Sequence, residues 1–181
     1  MSNVCVFCGS HPGANVRWGE QAEEVGRMIA AAGHTLVYGG SSRGTMGRLA
    51  DATLSAGGNV IGVLPQSLID RELAHPSLTR LEIVPDLMTR KERMIALSDR
   101  FVALPGGIGT LDELFEVWTL GLLRGGGRPL ALFDETGFYT SLVAFLDHAT
   151  AAGFVTTEVR ERLVMLDRRA DLDAWLRGGA D

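Results

Sequence analysis

Two short runs of this sequence contain the residue types best suited to chemistry. Residues 104–113 read LPGGIGTLDE, in which an apolar stretch enters Pro-Gly-Gly and a Gly-Thr then opens a predicted helix carrying Asp112 and Glu113. Glycine lets a backbone approach an anion closely, and the free amides at a helix N-terminus favour negative charge. The run therefore predicts either a phosphate cradle with a catalytic carboxylate or only a well-capped helix.

The capping interpretation makes Thr110 the N-cap, with Glu113 folding back onto the backbone amide of the cap. Two observations favour a ligand site instead. The Pro-Gly-Gly before the helix is more permissive than a cap requires. Glu113 also lies roughly opposite the apolar stripe of its helix, because residues step by about 100° around a helix. Glu113 is therefore predicted to face the ligand.

The second run, MTRKERM at 88–94, places Arg90, Lys91 and Arg93 in the first turns of a predicted helix ending near Ser98. Cations at a helix start are unfavourable with the dipole, so they predict anionic partners, although a solvated charged face is the alternative. Lys91 is the only lysine in the chain. A Schiff-base cofactor such as pyridoxal phosphate could attach only there.

The elements that position these runs alternate along the chain. Short apolar stretches predict strands at NVCVFC, HTLVYG, NVIGVLP, RLEIVP, RFVALP, RPLALF and RLVML. Helical spacing between them gives three apolar faces: Trp18, Ala22, Val25, Ile29 and Ala32; Leu111, Leu114, Phe115, Trp118 and Leu122; and Phe138, Leu142, Phe145 and Ala149. Wholly apolar strands separated by amphipathic helices indicate a parallel sheet covered on both faces.

We therefore predict a single Rossmann-like, doubly wound α/β domain over residues 1–181, with about six or seven mostly parallel strands. The run RGGGRP at 124–129 is predicted as a helix stop and loop, and the terminal RGGAD as frayed. In such folds ligands bind beyond the carboxyl ends of the strands. Three of these ends are glycine-rich: CGSHPG (8–13), YGGSSRGTMG (38–47) and LPGGIGT (104–110). Three such loops on one edge predict a phosphate-bearing ligand.

Known nucleotide motifs narrow the kind of ligand. The sequence contains no G-x-x-x-x-G-K-[ST], which disfavours a Walker-type triphosphate site. The dinucleotide fingerprint G-x-G-x-x-G also fails, because Leu111 and Asp112 follow Gly107-Ile108-Gly109. A dinucleotide site is kept as an alternative, with Asp134 as the acid near the ribose hydroxyls.

Composition favours a small ligand. The net charge of -5 and the pI near 5.4 argue against a nucleic-acid-binding surface. No run approaches the apolar length of a membrane span, and the start lacks signal-peptide zones, so a cytoplasmic protein is expected. Cys5 and Cys8 are three apart in a predicted strand and face opposite sides of the sheet, so they are interpreted as buried apolar residues, with no metal site.

The paired motifs resemble one family. PGGIGTLDE fits P-G-G-x-G-T-x-x-E, and RKERM fits the R-K-x-x-M that accompanies it in the Lonely Guy (LOG) family of cytokinin riboside 5'-monophosphate phosphoribohydrolases, long mislabelled as lysine decarboxylases. The likeness extends over nearly the whole chain, through VCVFCGS, LVYGG, GTMG, GVLP, DRFVALPGG, FEVWT and GFYTSLVAFLDHATAAGF.

This resemblance implies hydrolysis of the N-glycosidic bond of a nucleoside 5'-monophosphate, such as a cytokinin riboside monophosphate or AMP, without a cofactor and in a homodimer. It implies Arg90 and Glu113 as the catalytic pair. The positions implied for binding substrate or phosphate are Gly9, Ser10, Gly40, Met88, Lys91, Gly106, Gly107, Gly109, Thr110 and Glu116. Glu116 is predicted either to hold ribose hydroxyls or to be solvated, and Asp112 to support the helix dipole.

The sequence departs from the family at three places. Leu87-Met88 replaces the usual Met-His, Ser41 replaces a third glycine, and the run at 120–127 replaces a Trp-x-Gln-Leu-Gly segment that helps form the base pocket and subunit contact in relatives. We expect effects on base choice or assembly. Two other hypotheses stay open: a nucleotide-binding carrier or sensor without turnover, and a nicotinamide-dependent oxidoreductase.

Overall fold

A computed structural model describes residues 1–69, 73–123 and 127–178 of the chain. Within these ranges seven strands form one sheet: β1 (Asn3–Phe7), β2 (Thr35–Tyr38), β3 (Asn59–Pro65), β4 (Arg80–Val84), β5 (Arg100–Ala103), β6 (Leu130–Phe133) and β7 (Leu163–Leu166). Their order is β4-β3-β2-β1-β5-β6-β7, and every neighbouring pair is parallel. Each strand falls on a predicted apolar run, which confirms the parallel α/β prediction.

The helices of the described residues cover both faces of this sheet. They are α1 (Val16–Ala31), α2 (Gly44–Ser55), α3 (Gln66–Ile69), α4 (Leu87–Leu97), α5 (Ile108–Leu123), α6 (Thr140–Ala151), α7 (Thr157–Glu161) and α8 (Arg169–Leu176). Helices α1, α2 and α8 contribute to one apolar core, and α4, α5 and α6 to the other. Cys5 packs in one core and Cys8 in the other, so they face opposite sides of the sheet as predicted; both are buried and free.

The face predicted for α6 is partly wrong. Phe138 precedes the helix and is 41% exposed, and Phe145 is 63% exposed. The buried residue of α6 is Leu146, with Leu142 and Val143 packed beside it. The core-facing stripe therefore lies about one position further along the helix. Helical spacing gives a period but does not decide which of two adjacent apolar stripes is buried, and large apolar side chains also occur on protein surfaces.

Chain order places the ligand edge of the sheet. β1 lies between β2 and β5, so the chain winds outward through β2, β3 and β4 in one direction and through β5, β6 and β7 in the other. The loops after β1 and β5 consequently diverge and leave a crevice above the carboxyl ends of the two strands, where ligands bind in doubly wound sheets. Both runs singled out by their chemistry reach this edge.

Two predicted loops lie partly outside the described residues. The described part of α5 extends to Leu123, and residues 124–126 of the predicted helix stop lie outside the described residues, as do residues 179–181 of the predicted frayed end. None of the helices in the described ranges has the length and apolar character needed to cross a bilayer.

Candidate active site

A cavity of about 350 Å³ opens at the crevice between β1 and β5. Its walls come from the loops after β1, β5 and β6 and from the first turns of α1, α2, α4 and α5. The predicted site residues that line it are Gly9, Ser10, Arg90, Gly106, Gly107, Gly109, Thr110 and Glu113. Loops and helix starts that are distant in sequence therefore converge at one site, as the glycine pattern predicted. We call it the first cavity.

The start of α2 is occupied by the protein's own backbone. The Gly9 carbonyl accepts hydrogen bonds from the amides of Thr45 (3.1 Å) and Met46 (3.3 Å) and from the Thr45 hydroxyl (3.0 Å). Gly44 has φ +58°, and a Cβ there would collide with the backbone of Ser10. These contacts fix the loop after β1, and they occupy the amides of Thr45 and Met46, which are therefore not available to a ligand anion.

The start of α5 is open by contrast. The helix begins at Ile108, and its first backbone bond runs from the Leu111 amide to the Gly107 carbonyl. Within the described chain, no protein acceptor faces the amides of residues 108, 109 and 110. Such amides, together with the helix dipole, favour an anion. Because these amides border the first cavity, α5 provides its anion-binding end.

The capping-box interpretation is wrong. Thr110 is the third residue of α5 and is buried, so it is not the residue preceding the helix. Gly106 packs against it so closely that a Cβ on Gly106 would collide with the Thr110 side chain. The sequence pattern could not distinguish these alternatives because a Thr-x-x-Glu spacing is the same in a cap and inside a first turn. Glu113 instead points toward Arg90.

Arg90 and Glu113 form a buried ion pair at the foot of the first cavity. Nη2 of Arg90 lies 3.6 Å from Oε1 of Glu113, and the two side chains are only 14% and 11% exposed. Nε of Arg90 donates to the Val63 carbonyl at the end of β3 (3.2 Å). The guanidinium lies against Gly39, where a Cβ would collide with it. Arg90 is thus anchored from β3 and supported by β2.

The environment of Glu113 shifts its proton affinity. Burial raises the pKa of the carboxyl group from 4.5 to about 7, against the opposing effect of the Arg90 charge. Lys91 also lowers this pKa, whereas the nearby charges of Asp112 and Glu116 raise it. A carboxyl group with a pKa near neutrality exchanges protons readily at physiological pH, which suits general acid–base catalysis.

Lys91 is held by two carboxylates. Its ammonium lies 2.9 Å from Asp112 and 2.7 Å from Glu116, and these hydrogen bonds, first with Glu116, raise the Lys91 pKa. Arg93 pairs with Glu82 on β4. The prediction that the cations of this run need anionic partners is confirmed for all three. Asp112 and Glu116 are engaged with Lys91, beside the cavity and outside its lining.

Four predicted binding residues do not line the first cavity: Gly40, Met88, Lys91 and Glu116. Gly40 has φ +75°, packs under Leu64, and uses its carbonyl to accept the His75 amide, so it is a turn residue of the loop after β2. Met88 is 61% exposed in the first turn of α4. The resemblance implied substrate binding for these four residues, and a sequence motif gives their order in the chain but not the direction of their side chains.

Sequence reasoning missed an aromatic wall of the first cavity. Trp18 and Phe138 meet edge to face with ring centroids 5.3 Å apart, and the Trp18 indole donates to the Thr136 hydroxyl (3.1 Å). Trp18 was assigned only to the core stripe of α1. Its place directly after a glycine-rich loop was the available signal.

Asp134 does not serve the alternative dinucleotide site. It is 6% exposed, and its carboxylate accepts hydrogen bonds from the Tyr139 amide and from the amide and hydroxyl of Thr136. Burial acts to raise its pKa, but these hydrogen bonds prevail and the pKa is lowered. The carboxylate organises the loop after β6 and does not line the first cavity.

A second cavity of about 610 Å³ adjoins the first. The two share five lining residues, so Arg90, one of them, lies at their boundary; the others are Ser10, His11, Pro12 and Met46. Beyond Arg90 the lining is more apolar and comes from the segments after β2 and β3; it includes Leu64, Leu68 and Leu73 together with Gly39, Ser41 and Arg43. No part of α5 contributes to it.

The changed region at 120–127 lies elsewhere in this chain. Gly121 and Gly127 line a groove with Arg128 and Pro129, just before β6 begins, at the edge of the sheet opposite Glu113. Residues 124–126 are outside the described ranges. Within one chain the described residues of this region, 120–123 and 127, therefore line neither of the two cavities.

No group of three or more His, Cys, Asp or Glu residues in the described ranges is arranged to hold a metal ion. Cys8 borders the first cavity, but burial raises its thiol pKa to about 12, so it is not a nucleophile at neutral pH.

Comparison with known proteins identifies relatives of this chain. A family profile described as possible lysine decarboxylase matches residues 46–174. The cytokinin riboside 5'-monophosphate phosphoribohydrolase of Rhodococcoides fascians is 43% identical over 90% of this chain and 83% of its own. The enzyme LOG1 of Arabidopsis thaliana, of the same name, is 40% identical over 91% of this chain and 77% of its own.

Among solved structures, the molybdenum cofactor binding protein of Rippkaea orientalis aligns with a TM-score of 0.74 and 20% identity over 98% of this chain and 96% of its own. The molybdenum cofactor carrier protein of Chlamydomonas reinhardtii aligns with a TM-score of 0.72 and 22% identity over 98% of this chain and 97% of its own. These likenesses establish a shared fold. The motifs, the converging loops and the sequence relatives together show that the chain belongs to the family of cytokinin riboside 5'-monophosphate phosphoribohydrolases.

Proposed function

We propose that the protein hydrolyses the N-glycosidic bond of a nucleoside 5'-monophosphate and releases the free base and ribose 5-phosphate. The observation that carries this proposal is the buried Arg90–Glu113 pair in a cavity that is also bordered by the open amides at the start of α5. A phosphate at the start of α5 would place the sugar beside the carboxylate.

The reaction needs negative charge near C1'. Breaking the bond builds positive charge on the ribose, as in the oxocarbenium-like transition states of glycoside hydrolysis. Ionised Glu113 stabilises that charge and orients water, whose hydroxyl adds to C1' while its proton is transferred to the departing base. The pKa of about 7 gives Glu113 enough basicity to assist this proton transfer.

Arg90 contributes positioning in this proposal. A guanidinium stays protonated, so it is a poor general base but a good hydrogen-bond donor with fixed geometry. Its contacts with Val63 and Gly39 hold it between the two cavities, where the sugar–base bond would lie. From there it donates to the leaving base or the attacking water and stabilises the ionised form of Glu113.

Lysine-based cofactor chemistry fits this site poorly. Lys91 is the sole lysine, and its ammonium is paired with Asp112 and Glu116, which raises its pKa. Schiff-base formation needs a neutral, nucleophilic amine, which a low pKa favours. The arrangement of Lys91 therefore supports a role in balancing the carboxylates of α5.

A homodimer is also part of the proposal. Apolar side chains are exposed in the first turns of two site-bearing helices, at Leu87, Met88 and Ile108. Association would remove them from water. Sedimentation at working concentration tests this, and a monomer with full activity would contradict it.

The proposed function is tested by incubating the protein with a panel of nucleoside 5'-monophosphates and measuring released base. We expect hydrolysis of purine nucleoside monophosphates and much weaker hydrolysis of the matching nucleosides. The nucleosides lack the 5'-phosphate that the amides at the start of α5 would bind. Comparable kcat/KM for AMP and adenosine would contradict the phosphate assignment. Tight nucleotide binding without release of base would instead support a carrier without turnover.

A further inference from the structure

A short segment after α3, residues 73–77, is joined to the loop after β2. The Ser42 amide donates to the Leu73 carbonyl (3.0 Å), and Ser41 forms an antiparallel bridge with Ala74. The His75 amide donates to the Gly40 carbonyl (2.9 Å). We call residues 73–77 the strap. These backbone contacts make the strap and the loop at 39–42 one layer beside the active site.

The His75 side chain connects this layer to α2. Nδ1 accepts the Ser77 amide (3.2 Å), so the ring proton is on Nε2, which donates to Oδ1 of Asp51 on α2 (3.0 Å). His75 is 6% exposed, whereas the Asp51 side chain is 72% exposed. The two hydrogen bonds fix the orientation of the buried His75 ring, and the bond to Asp51 connects the strap to α2.

The layer held in this way borders the reacting groups. Gly39, next to the Gly40 that His75 binds, supports the Arg90 guanidinium, and Leu73 of the strap lines the second cavity. If the phosphate binds at the start of α5 and the sugar lies beside Glu113, the base extends past Arg90 into the second cavity. The lining of this cavity combines apolar side chains with a few polar ones, Arg43 and Ser41 among them, and its volume is within the roughly 300–1,000 Å³ usual for small-molecule sites.

We infer that His75 is a positioning residue, which through Asp51 and the strap holds the wall of the second cavity against which the substrate base binds. This inference rests on the proposed function. It assigns to His75 no contact with substrate and no proton transfer. His75 affects the affinity for the nucleotide, because the strap and Gly39 lie on the side of Arg90 where the base binds.

The test compares His75→Leu and Asp51→Ala, which remove the fastening, with Asp51→Asn, which keeps an acceptor for the histidine. Two quantities are measured in each full-length variant: KM for the nucleotide that the wild type hydrolyses, and the inhibition constant of ribose 5-phosphate. Ribose 5-phosphate lacks a base, so its inhibition constant measures binding in the first cavity only. Asp51 is largely exposed, so its variants should fold even if His75→Leu does not.

We expect His75→Leu and Asp51→Ala to raise nucleotide KM by about threefold to tenfold, the usual range for one lost hydrogen bond. The inhibition constant of ribose 5-phosphate should stay within about twofold, and Asp51→Asn should restore KM close to the wild-type value. An unchanged KM in Asp51→Ala, or equal rises in KM and in the inhibition constant, would overturn the inference. A wild-type protein that releases no base from any nucleotide would instead overturn the proposed function.

Discussion

The unusual proton affinity of Glu113 should make the protein less stable as the pH rises. Its pKa is raised from 4.5 to about 7, mainly by burial. Between these values the unfolded chain has released the proton while the folded chain retains it. Stability is therefore greatest below the unfolded pKa and is lost as the pH rises through the folded pKa.

The size of this effect follows from the shift. Each pKa unit corresponds to about 1.4 kcal/mol, and the two titrations together give a loss of about 2.5 kcal/mol in the free energy of unfolding between about pH 5 and pH 8. Glutamine in place of Glu113 cannot titrate. The Glu113→Gln variant should therefore gain about this much stability relative to the wild type over the same interval.

Urea unfolding of both proteins at about pH 5 and pH 8 measures the difference, with Glu20→Gln, an exposed glutamate change on α1, as the matched control. The control accounts for the loss of one negative charge at an exposed position. If the difference between wild type and Glu113→Gln, corrected by the control, is the same at both pH values, Glu113 does not carry a raised pKa. The same ionisation predicts that kcat/KM rises with pH, with a midpoint near pH 7 and a plateau above it, because the ionised carboxylate is the active form.

Three further changes test the site from other directions. Arg90→Lys keeps the charge but loses the guanidinium fork, so kcat/KM should fall about tenfold or more; wild-type release of base would show that a simple positive charge suffices. Lys91→Ala removes a cation that lowers the Glu113 pKa, so the midpoint of the pH–rate profile should move upward, and an unmoved midpoint would contradict this coupling. Gly106→Ala places a Cβ against the first turn of α5, so Tm should fall, whereas Gly107→Ala, whose Cβ meets open space, should leave Tm unchanged; equal melting temperatures would refute the packing argument.

The sheet was predictable because its information is local. Strands buried on both faces appear as continuous apolar runs, and their glycine-rich ends mark the ligand edge. The prediction for α6 failed at Phe145, because helical spacing gives a period but not which of two adjacent apolar stripes is buried.

The site was predictable in its parts but not in its geometry. The spacing around Glu113 fitted both a cap and a ligand site, and the helix start at Ile108, two residues before Thr110, separated them. Gly40 and Met88 are implied as binding residues by the resemblance, but neither lines the first cavity, because Gly40 packs in the turn after β2 and Met88 is exposed. The link from His75 to Asp51 spans 24 residues, and no local pattern predicts such a contact.

The central claim is that the charge of Glu113 is needed for bond cleavage, and the kcat of Glu113→Gln tests it most directly. Glutamine preserves the shape of the side chain but removes the negative charge beside the developing oxocarbenium ion. We predict that kcat for base release falls by at least about a hundredfold at a pH near 8, while the melting temperature does not fall and nucleotide binding largely persists. A kcat close to that of the wild type would contradict the catalytic assignment.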